Sequence, residues 1–352
     1  SCTSLKDSIL GEMMLKRWQC WLGLILSAVF LYLALRGLNL GEVWYHMRTA
    51  RYWWLVPGVA VYLFGVWGRT WRWHYMLRPV KSIPLVRLFP VVCIGYMGNN
   101  IFPARIGELL RAFVLKGTEE VPVSTSLASI LVERIFDGVI MLLFVFVGLP
   151  LAPNIPDTWR NFVIVFSLLF FGALGFFFFL AASPQRTQAL YTWVIDKLLP
   201  ARFREPVRGF ADRFLEGLSF LRSGRDVAMI FVTSLVVWLA EAMKYWFVMH
   251  AFDFEVSFFV LMLMNGVVNL FTTIPSAPGY LGTFDEPGIE VLKAFGVDGN
   301  IAAAYTLVLH AALWLPITAL GIWYMWRMSL SWSDLNEARK IGQETSGDGG
   351  SL

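Results

Sequence analysis

Charge is scarce in this sequence. Asp, Glu, Lys and Arg make up 15% of its 352 residues, where a soluble globular domain carries about a quarter. With 57% hydrophobic residues, the chain reads as a polytopic membrane protein rather than a soluble one. Cysteine is nearly absent as well. Cys2, Cys20 and Cys93 have neither the spacing of a metal site nor the density of a disulfide framework. No G-x-x-x-x-G-K-[ST] motif occurs, so a P-loop nucleotide engine is not expected. The first apolar run, Trp18 to Leu35, has no small-residue cleavage site behind it. It reads as a retained helix and not as a signal peptide. No cofactor, metal or nucleic-acid partner is expected.

Long hydrophobic runs and aromatics are what the chain has in excess. It carries 16 Trp, 29 Phe and 11 Tyr, and many of the Trp and Tyr flank apolar runs, as interfacial belts do. Six segments are long enough to cross a bilayer, at roughly 18–36, 52–71, 124–149, 160–182, 226–250 and 301–326. Two more apolar stretches, 83–116 and 257–295, are broken midway by Pro, Gly and polar residues. Each reads as a re-entrant or broken hairpin, a backbone tolerated in a membrane only where protein or a wet cavity surrounds it. The expected fold is therefore all-α and polytopic, with about six full transmembrane helices and two broken helical hairpins.

Basic residues set the orientation. With six crossings, the N-terminus, the 72–116 region, the 183–225 loop and the C-terminus share one side, and that side holds most of the 29 Lys and Arg. A multi-pass protein of the cytoplasmic membrane is expected, with both termini in the cytoplasm. Within 183–225, Phe203, Val207, Phe210, Phe214 and Leu218 form one stripe while Arg204, Arg208 and Arg213 lie elsewhere. That pattern suits a basic amphipathic helix on an anionic inner leaflet; a plain cytoplasmic linker is the alternative. The domain plan that follows is a leading helix and outer loop (1–51), a transmembrane domain (52–326) and a polar tail (327–352).

Two blocks of that domain look alike. Block 52–149 has a span ending VWGRTWRW, a broken hairpin with GNNIFPARIGE, then a span. Block 226–326 has a span containing WLAEAMKYW, a broken hairpin with GVVNLFTTIPSAPGYLGTFDE, then a span. Three crossings separate the two starts, which makes the blocks antiparallel, as in the inverted repeats of transporters.

Several charges fall inside apolar runs. Glu133 and Asp137 are spaced i, i+4, on one helix face, with Arg134 beside them. Glu241 and Lys244 are i, i+3 within the fifth segment, and His310 sits inside the last. A charge at the bilayer centre costs about 2.5–3.5 kcal/mol on insertion scales, so these groups are expected to face a shared interior and neutralise one another. Glu241, Lys244 and His310 are candidates for proton coupling; a local ion pair and a hydrogen-bonded interior His are the plainer alternatives. In the first hairpin, Asn99, Asn100, Arg105, Glu108 and Arg111 surround Pro103 and Gly107. A helix restarting near Arg105 would offer N-terminal amides to an anion, and Arg adds bidentate donors suited to phosphate. The expectation is a phosphate-sized, water-accessible pocket open to the cytoplasm. The second hairpin would supply a counterpart from Asn269, Ser276, Thr283, Asp285 and Glu286, with Pro278, Gly279 and Gly282 shaping the backbone.

The same residues carry a family resemblance. The order WRWHYML, GNNIFPARIGELLRAFVL, SILVERIFDGV, PSAPGYLGTFDE, LHAALWLP resembles the lysylphosphatidylglycerol synthase transmembrane, or flippase-like, family over about 52–326. The resemblance implies a lipid translocation domain with two re-entrant hairpins. It assigns roles to Asn100, Pro103, Arg105, Gly107, Glu108, Arg111, Glu133, Arg134, Asp137, Pro278, Gly279, Gly282 and Thr283. The family's acid after G-T-F is usually Glu; here Asp285 comes first, then Glu286 and Pro287, and either could take the role. No segment here has the size of a soluble aminoacyltransferase, so the flippase half alone is expected.

Three functions follow. The first is a flippase for a phosphate-containing lipid, anionic, aminoacylated or prenyl-linked, with a lipid-synthesising enzyme and a second copy of the chain as candidate partners. The second is a membrane-embedded glycosyl- or phosphotransferase. For that reading Glu133 and Asp137 could hold a divalent ion, but Arg134 between them argues against a metal. The third is an ion-coupled carrier of a soluble anion.

Overall fold

The computed structural model describes residues 25–102, 106–148, 184–198, 200–217, 219–272 and 278–328, with isolated helical positions at 168, 171–172 and 175. Among these residues the secondary structure is helical throughout, without strands. The fourth expected segment, 160–182, lies almost wholly outside the described residues, as do Pro103, Arg105, Ser276 and the tail beyond 328.

Among the described residues twelve α-helices are traced with their ends: α1 (Ile25–Leu35), α2 (Leu40–Thr49), α3 (Leu55–Leu77), α4 (Leu85–Ile101), α5 (Gly107–Glu119), α6 (Val123–Gly148), α7 (Pro184–Leu198), α8 (Ala201–Gly217), α9 (Gly224–Met249), α10 (Phe258–Phe271), α11 (Asp285–Ala294) and α12 (Gly299–Arg327). By length and composition, α9 and α12 can cross a membrane, and α1 with α2 would make a third span if that pair, bent by 84°, is one. α4 and α10 are shorter apolar helices, and each is the first arm of an expected broken hairpin. α3 and α6, with 23 and 26 residues, match the second and third expected segments in extent. They interrupt their apolar character with Arg69 and Arg72, and with Glu133, Arg134 and Asp137.

Local chemistry explains the boundaries. α1 ends at Gly37, whose φ of +78° is the left-handed C-terminal conformation that glycine adopts cheaply. Asn39 then caps α2, its side chain accepting from the amides of Gly41 (3.0 Å) and Glu42 (3.4 Å). Arg78 precedes Pro79, which disfavours further helix, and α3 ends there. Ser257 caps α10 by accepting from the Val260 amide at 3.4 Å.

The chain forms two compact units, each built from discontinuous pieces. Unit 1 comprises 1–59, 96–107 and 242–319; unit 2 comprises 60–95, 108–241 and 320–352. Both sequence blocks contribute to both units. In unit 1, α10 packs on α11, and the core gathers Tyr245, Leu261, Met264, Ile289, Leu292 and Tyr305. In unit 2, α8 packs on α6 and α7. There α3 meets α9 at two glycines: a Cβ on Gly68 would lie 3.2 Å from Val237, and one on Gly65 3.6 Å from Ala240. Small residues at such a seam let two helix backbones approach closely.

Candidate functional site

Unit 2 contains a buried guanidinium–carboxylate network. Its base is one face of α3, where Arg69, Arg72 and Trp73 follow the i, i+3, i+4 spacing. Facing it on α9 are Ser234, Trp238 and Glu241, again one stripe. Arg69 Nη1 lies 2.6 Å from Glu241. Arg72, fully buried, reaches Asp137 at 2.5 Å, Glu133 at 3.0 Å and the Ser234 hydroxyl at 2.9 Å. Trp238 Nε1 donates to the same Asp137 oxygen at 2.9 Å. Glu133 and Asp137 therefore share one helix face and one cation, as their spacing suggested.

Two more arginines converge on Glu133. Arg111 of α5 donates to Oε2 at 2.6 Å, and Arg134 donates to Oε1 at 2.8 Å. The Arg111 guanidinium also lies 4.2 Å from the Trp73 ring centroid, a cation–π contact that holds the side chain against α3. Arg134 reaches on to Glu108 and Asp137, both at 3.6 Å. With 38% of the Arg134 side chain and 27% of the Glu108 side chain exposed, this is the open edge of an otherwise closed network. Four arginines (69, 72, 111, 134) meet four acids (108, 133, 137, 241), so formal charge balances. Among the described residues, Nε of Arg72 and Nε of Arg111 are buried donors with no hydrogen-bond partner.

Unit 1 holds a second polar site, where α12 meets both hairpin breaks. Asn100, near the end of α4, donates through Nδ2 to Thr318 at 2.9 Å, and Trp314 Nε1 donates to the Asn100 carbonyl at 3.4 Å. Gly279 belongs to the short 278–280 turn at φ +76°. A Cβ there would lie 2.8 Å from Trp314 Nε1 and 3.7 Å from the Asn100 carbonyl. His310 bonds the Gly279 carbonyl through Nε2 at 2.7 Å and Asp285 Oδ1 through Nδ1 at 2.8 Å. Asp285 accepts the Gly282 amide on its other oxygen at 2.9 Å. Of the two candidate acids after G-T-F, Asp285 is thus the one tied into the turn and the fully buried one; Glu286 is half-buried.

The remaining expected residues divide as follows. Thr283 is buried and donates to the Tyr280 carbonyl at 3.1 Å. Asn269 donates to both the carbonyl and the side chain of Asn265, one turn back on α10. Asn99 presents a buried Oδ1 without a hydrogen-bond partner among the described residues. Lys244 is buried, its Nζ 5.6 Å from the Tyr245 ring centroid. Arg105 and Pro103 lie outside the described residues. The first hairpin resumes as helix at Gly107, which puts Glu108 in the first turn of α5.

Sequence reasoning passed over Arg72, Trp73, Ser234, Trp238, Trp314 and Thr318. By sequence Arg72 opens the 72–116 region and so falls among the flanking charges expected in the cytoplasm. The usable signal was its i, i+3 relation to Arg69, which puts both on one face of a helix that continues to Leu77.

Comparison with known proteins places these features in a wider set. The family model described as "Lysylphosphatidylglycerol synthase TM region" matches residues 20–321. The chain is 23% identical over 265 residues to a UPF0104 membrane protein of Methanocaldococcus jannaschii, covering 71% of this chain and 77% of that one. It is 25% identical over 281 residues to a UPF0104 membrane protein of Methanothermobacter thermautotrophicus, covering 76% and 82%. It is also 25% identical over 269 residues to the glycosyltransferase AglD of Haloferax volcanii, covering 65% of this chain and 41% of that protein. No solved structure matches it significantly.

Proposed function

Because this chain belongs to the lysylphosphatidylglycerol synthase TM-region family, a family of membrane proteins, we propose that it moves a phosphate-bearing lipid across the cytoplasmic membrane. The observation that carries this reading is the convergence of Arg72, Arg111 and Arg134 on the single carboxylate of Glu133. A carboxylate held by three guanidinium groups occupies a position that a phosphate would also satisfy, since each offers a pair of oxygens to the planar fork of arginine. Because the network is neutral, a headgroup does not fill an empty positive hole. It exchanges with Glu133 for the arginines, entering at the Arg134–Glu108 edge, and the unused Nε donors of Arg72 and Arg111 add to its coordination. The displaced acids are then available to an amine, which suits an aminoacylated headgroup. Acyl or prenyl tails remain in the lipid.

In this reading six spans and two broken hairpins form an inverted repeat (52–149 and 226–326), with both termini cytoplasmic. The charged helices α3 and α6 cross because their charges are paired inside the protein.

The test is transbilayer movement of labelled anionic, aminoacylated and prenyl-phosphate lipids in proteoliposomes. Arg111→Gln and Arg134→Gln should each slow transfer of the true substrate at least ~10-fold, equivalent to about 1.4 kcal/mol of lost stabilisation. Wild-type rates in both folded variants would sink the assignment.

A second reading is kept because of the match to a protein named glycosyltransferase: a membrane-embedded lipid-modifying enzyme. Among the described residues, Glu133 and Asp137 are committed to arginine, and no three His, Cys, Asp or Glu side chains cluster as a metal site requires. Product formation by mass spectrometry, with lipid and sugar donor supplied to the purified protein, separates the two readings.

A further inference from the structure

The Asp285–His310 pair has a proton count that its geometry fixes. A carbonyl oxygen only accepts hydrogen bonds, so the 2.7 Å contact with Gly279 requires a hydrogen on His310 Nε2. The Gly282 amide already donates to Asp285 Oδ2. The 2.8 Å contact between His310 Nδ1 and Asp285 Oδ1 then needs one more proton, on nitrogen or on oxygen. With that proton, His310 holds both Asp285 and Gly279. Without it, a neutral imidazole has a single N–H and can donate to one of the two, leaving a buried carboxylate or a buried carbonyl short of a donor.

What the proton holds together is a junction. Through Gly279 it fixes the 278–280 turn of the second hairpin to α12. The same glycine abuts Trp314, which donates to the Asn100 carbonyl of the first hairpin, and Asn100 in turn bonds Thr318. Residues from both broken hairpins thus meet on two successive turns of α12, next to the pair. His310 lies ~17 Å along a helix ~43 Å long, at 1.5 Å per residue, well away from either end.

The surroundings favour one proton-binding group. Phe284 stacks on the imidazole at 4.4 Å between ring centroids. No other ionisable side chain among the described residues bonds to Asp285 or His310. The nearest in the chain are Glu286, acted on by Glu290 and Lys293 along α11, and Tyr305, whose hydroxyl is committed to the Tyr245 carbonyl at 3.0 Å. Lys244 of α9 is the further buried charge of this unit, beside Tyr245. α1 meets the turn with the backbone of Ser27 and Leu31 at Gly282, and α4 meets it with Asn100.

We propose that Asp285 and His310 form a one-proton binding site whose occupancy locks the 278–280 turn onto α12 beside the Asn100 end of α4, so that lipid translocation is coupled to proton movement. The coupling rests on the transport reading above; the proton site does not. Binding the proton closes the junction, and losing it frees α12 from either the 278–280 turn or Asp285 at the start of α11. A singly charged phosphate headgroup moving with one proton transfers no net charge, so a pH gradient drives it and a membrane potential does not.

The proton site is tested on the full chain, labelled with 15N-histidine and reconstituted in lipid. His310 resonances are assigned by subtraction against His310→Gln. They should titrate in the wild type, and that titration should vanish or move by a unit or more in Asp285→Asn, whose amide mimics the protonated acid. An unchanged titration in Asp285→Asn overturns the site. The coupling is tested in proteoliposomes under a one-unit pH gradient. At one proton per lipid, the wild type should build a leaflet asymmetry of up to ~10-fold, and Asp285→Asn and His310→Gln should fall to the ratio without a gradient, whatever their basal rates. Lipid movement in the wild type that ignores the gradient overturns the coupling and leaves the transport reading standing. No movement of any lipid removes the transport reading and the coupling with it, and the histidine titration still decides the proton site.

Discussion

Arg72 has no exposed side-chain surface and serves two acids, Glu133 and Asp137. A buried ion pair is weak evidence of stability, because desolvation consumes much of the Coulomb gain. Removing one partner is different, since it leaves an uncompensated buried charge at a cost of about 3–5 kcal/mol. Arg72→Met should therefore lower the thermal midpoint in detergent sharply. Adding Asp137→Asn to it should recover at least ~1 kcal/mol, since the stranded charge goes too. If the double variant is as unstable as the two single losses added together, Arg72 and Asp137 are not coupled. The acids of this network were legible in the sequence because three charges in one turn of an apolar run have few innocent explanations. Arg72 was not, because an arginine near the end of an apolar run is also what the positive-inside rule predicts. Which of the two applies depends on where the partner helices stand, and no local pattern encodes that.

At the scale of the element, the helix breaks were readable and their geometry was not. Pro and Gly clusters located both interruptions, and the helices do stop at Ile101 and Phe271. What the glycines are for emerges only from their neighbours. Gly282 has φ +80°, and a Cβ there would sit 2.7 Å from the Ser27 carbonyl and 2.8 Å from the Leu31 amide, both backbone atoms. Gly279 has φ +76°, but its tightest neighbour is the Trp314 side chain. Both positions strain an L-residue, by about 1–3 kcal/mol, yet only the second collision can relax by a side-chain movement. Gly282→Ala should thus cut the yield of folded protein more than Gly279→Ala, and Trp314→Phe should partly rescue Gly279→Ala alone. Size-exclusion profiles of the solubilised variants would read this directly, and equal damage at the two sites would contradict it. The amphipathic reading of 183–225 has a similar split. Leu190, Trp193, Val207 and Phe210 are exposed apolar side chains, as a surface-lying helix pair needs. Arg204 and Arg208, however, both turn to Asp196 on the preceding helix, a pairing that the stripe on one helix could not reveal.

For the whole molecule the question is how many helices cross and which way they run. Hydropathy alone credits α9, α12 and the bent α1–α2 pair, because it counts the charges of α3 and α6 against them. Length does not: at 1.5 Å per residue α3 and α6 run ~35 and ~39 Å, enough to cross a hydrocarbon core of about 30 Å. Their ionic groups meet one another inside unit 2, so in the proposed six-span topology the two helices would cross with their charges paired. The polar links respect the parity of the proposed six-span topology. Arg51 bonds Asp253 at 3.0 Å, and Asn300 bonds the Asn39 amide at 2.9 Å; all four positions belong to loops expected outside. Arg78 approaches Asp226 at 3.8 Å, and Lys81 and Arg87 both reach Glu119, at 3.3 and 3.5 Å; the three basic residues belong to the 72–116 segment expected inside, and the two acids lie within three residues of a segment expected there. An odd error in the span count between any of these partners would put them on opposite faces of the bilayer. The topology therefore predicts single-cysteine labelling in a cysteine-free background. Asp253→Cys, at a side chain 82% exposed, should react with an impermeant maleimide in intact cells. Glu205→Cys, at a side chain 83% exposed, should react only after the membrane is opened. Labelling of both in intact cells, or of neither, would mean that α9 does not cross, and the reverse pattern would invert the orientation and place the Arg134–Glu108 edge on the outer side.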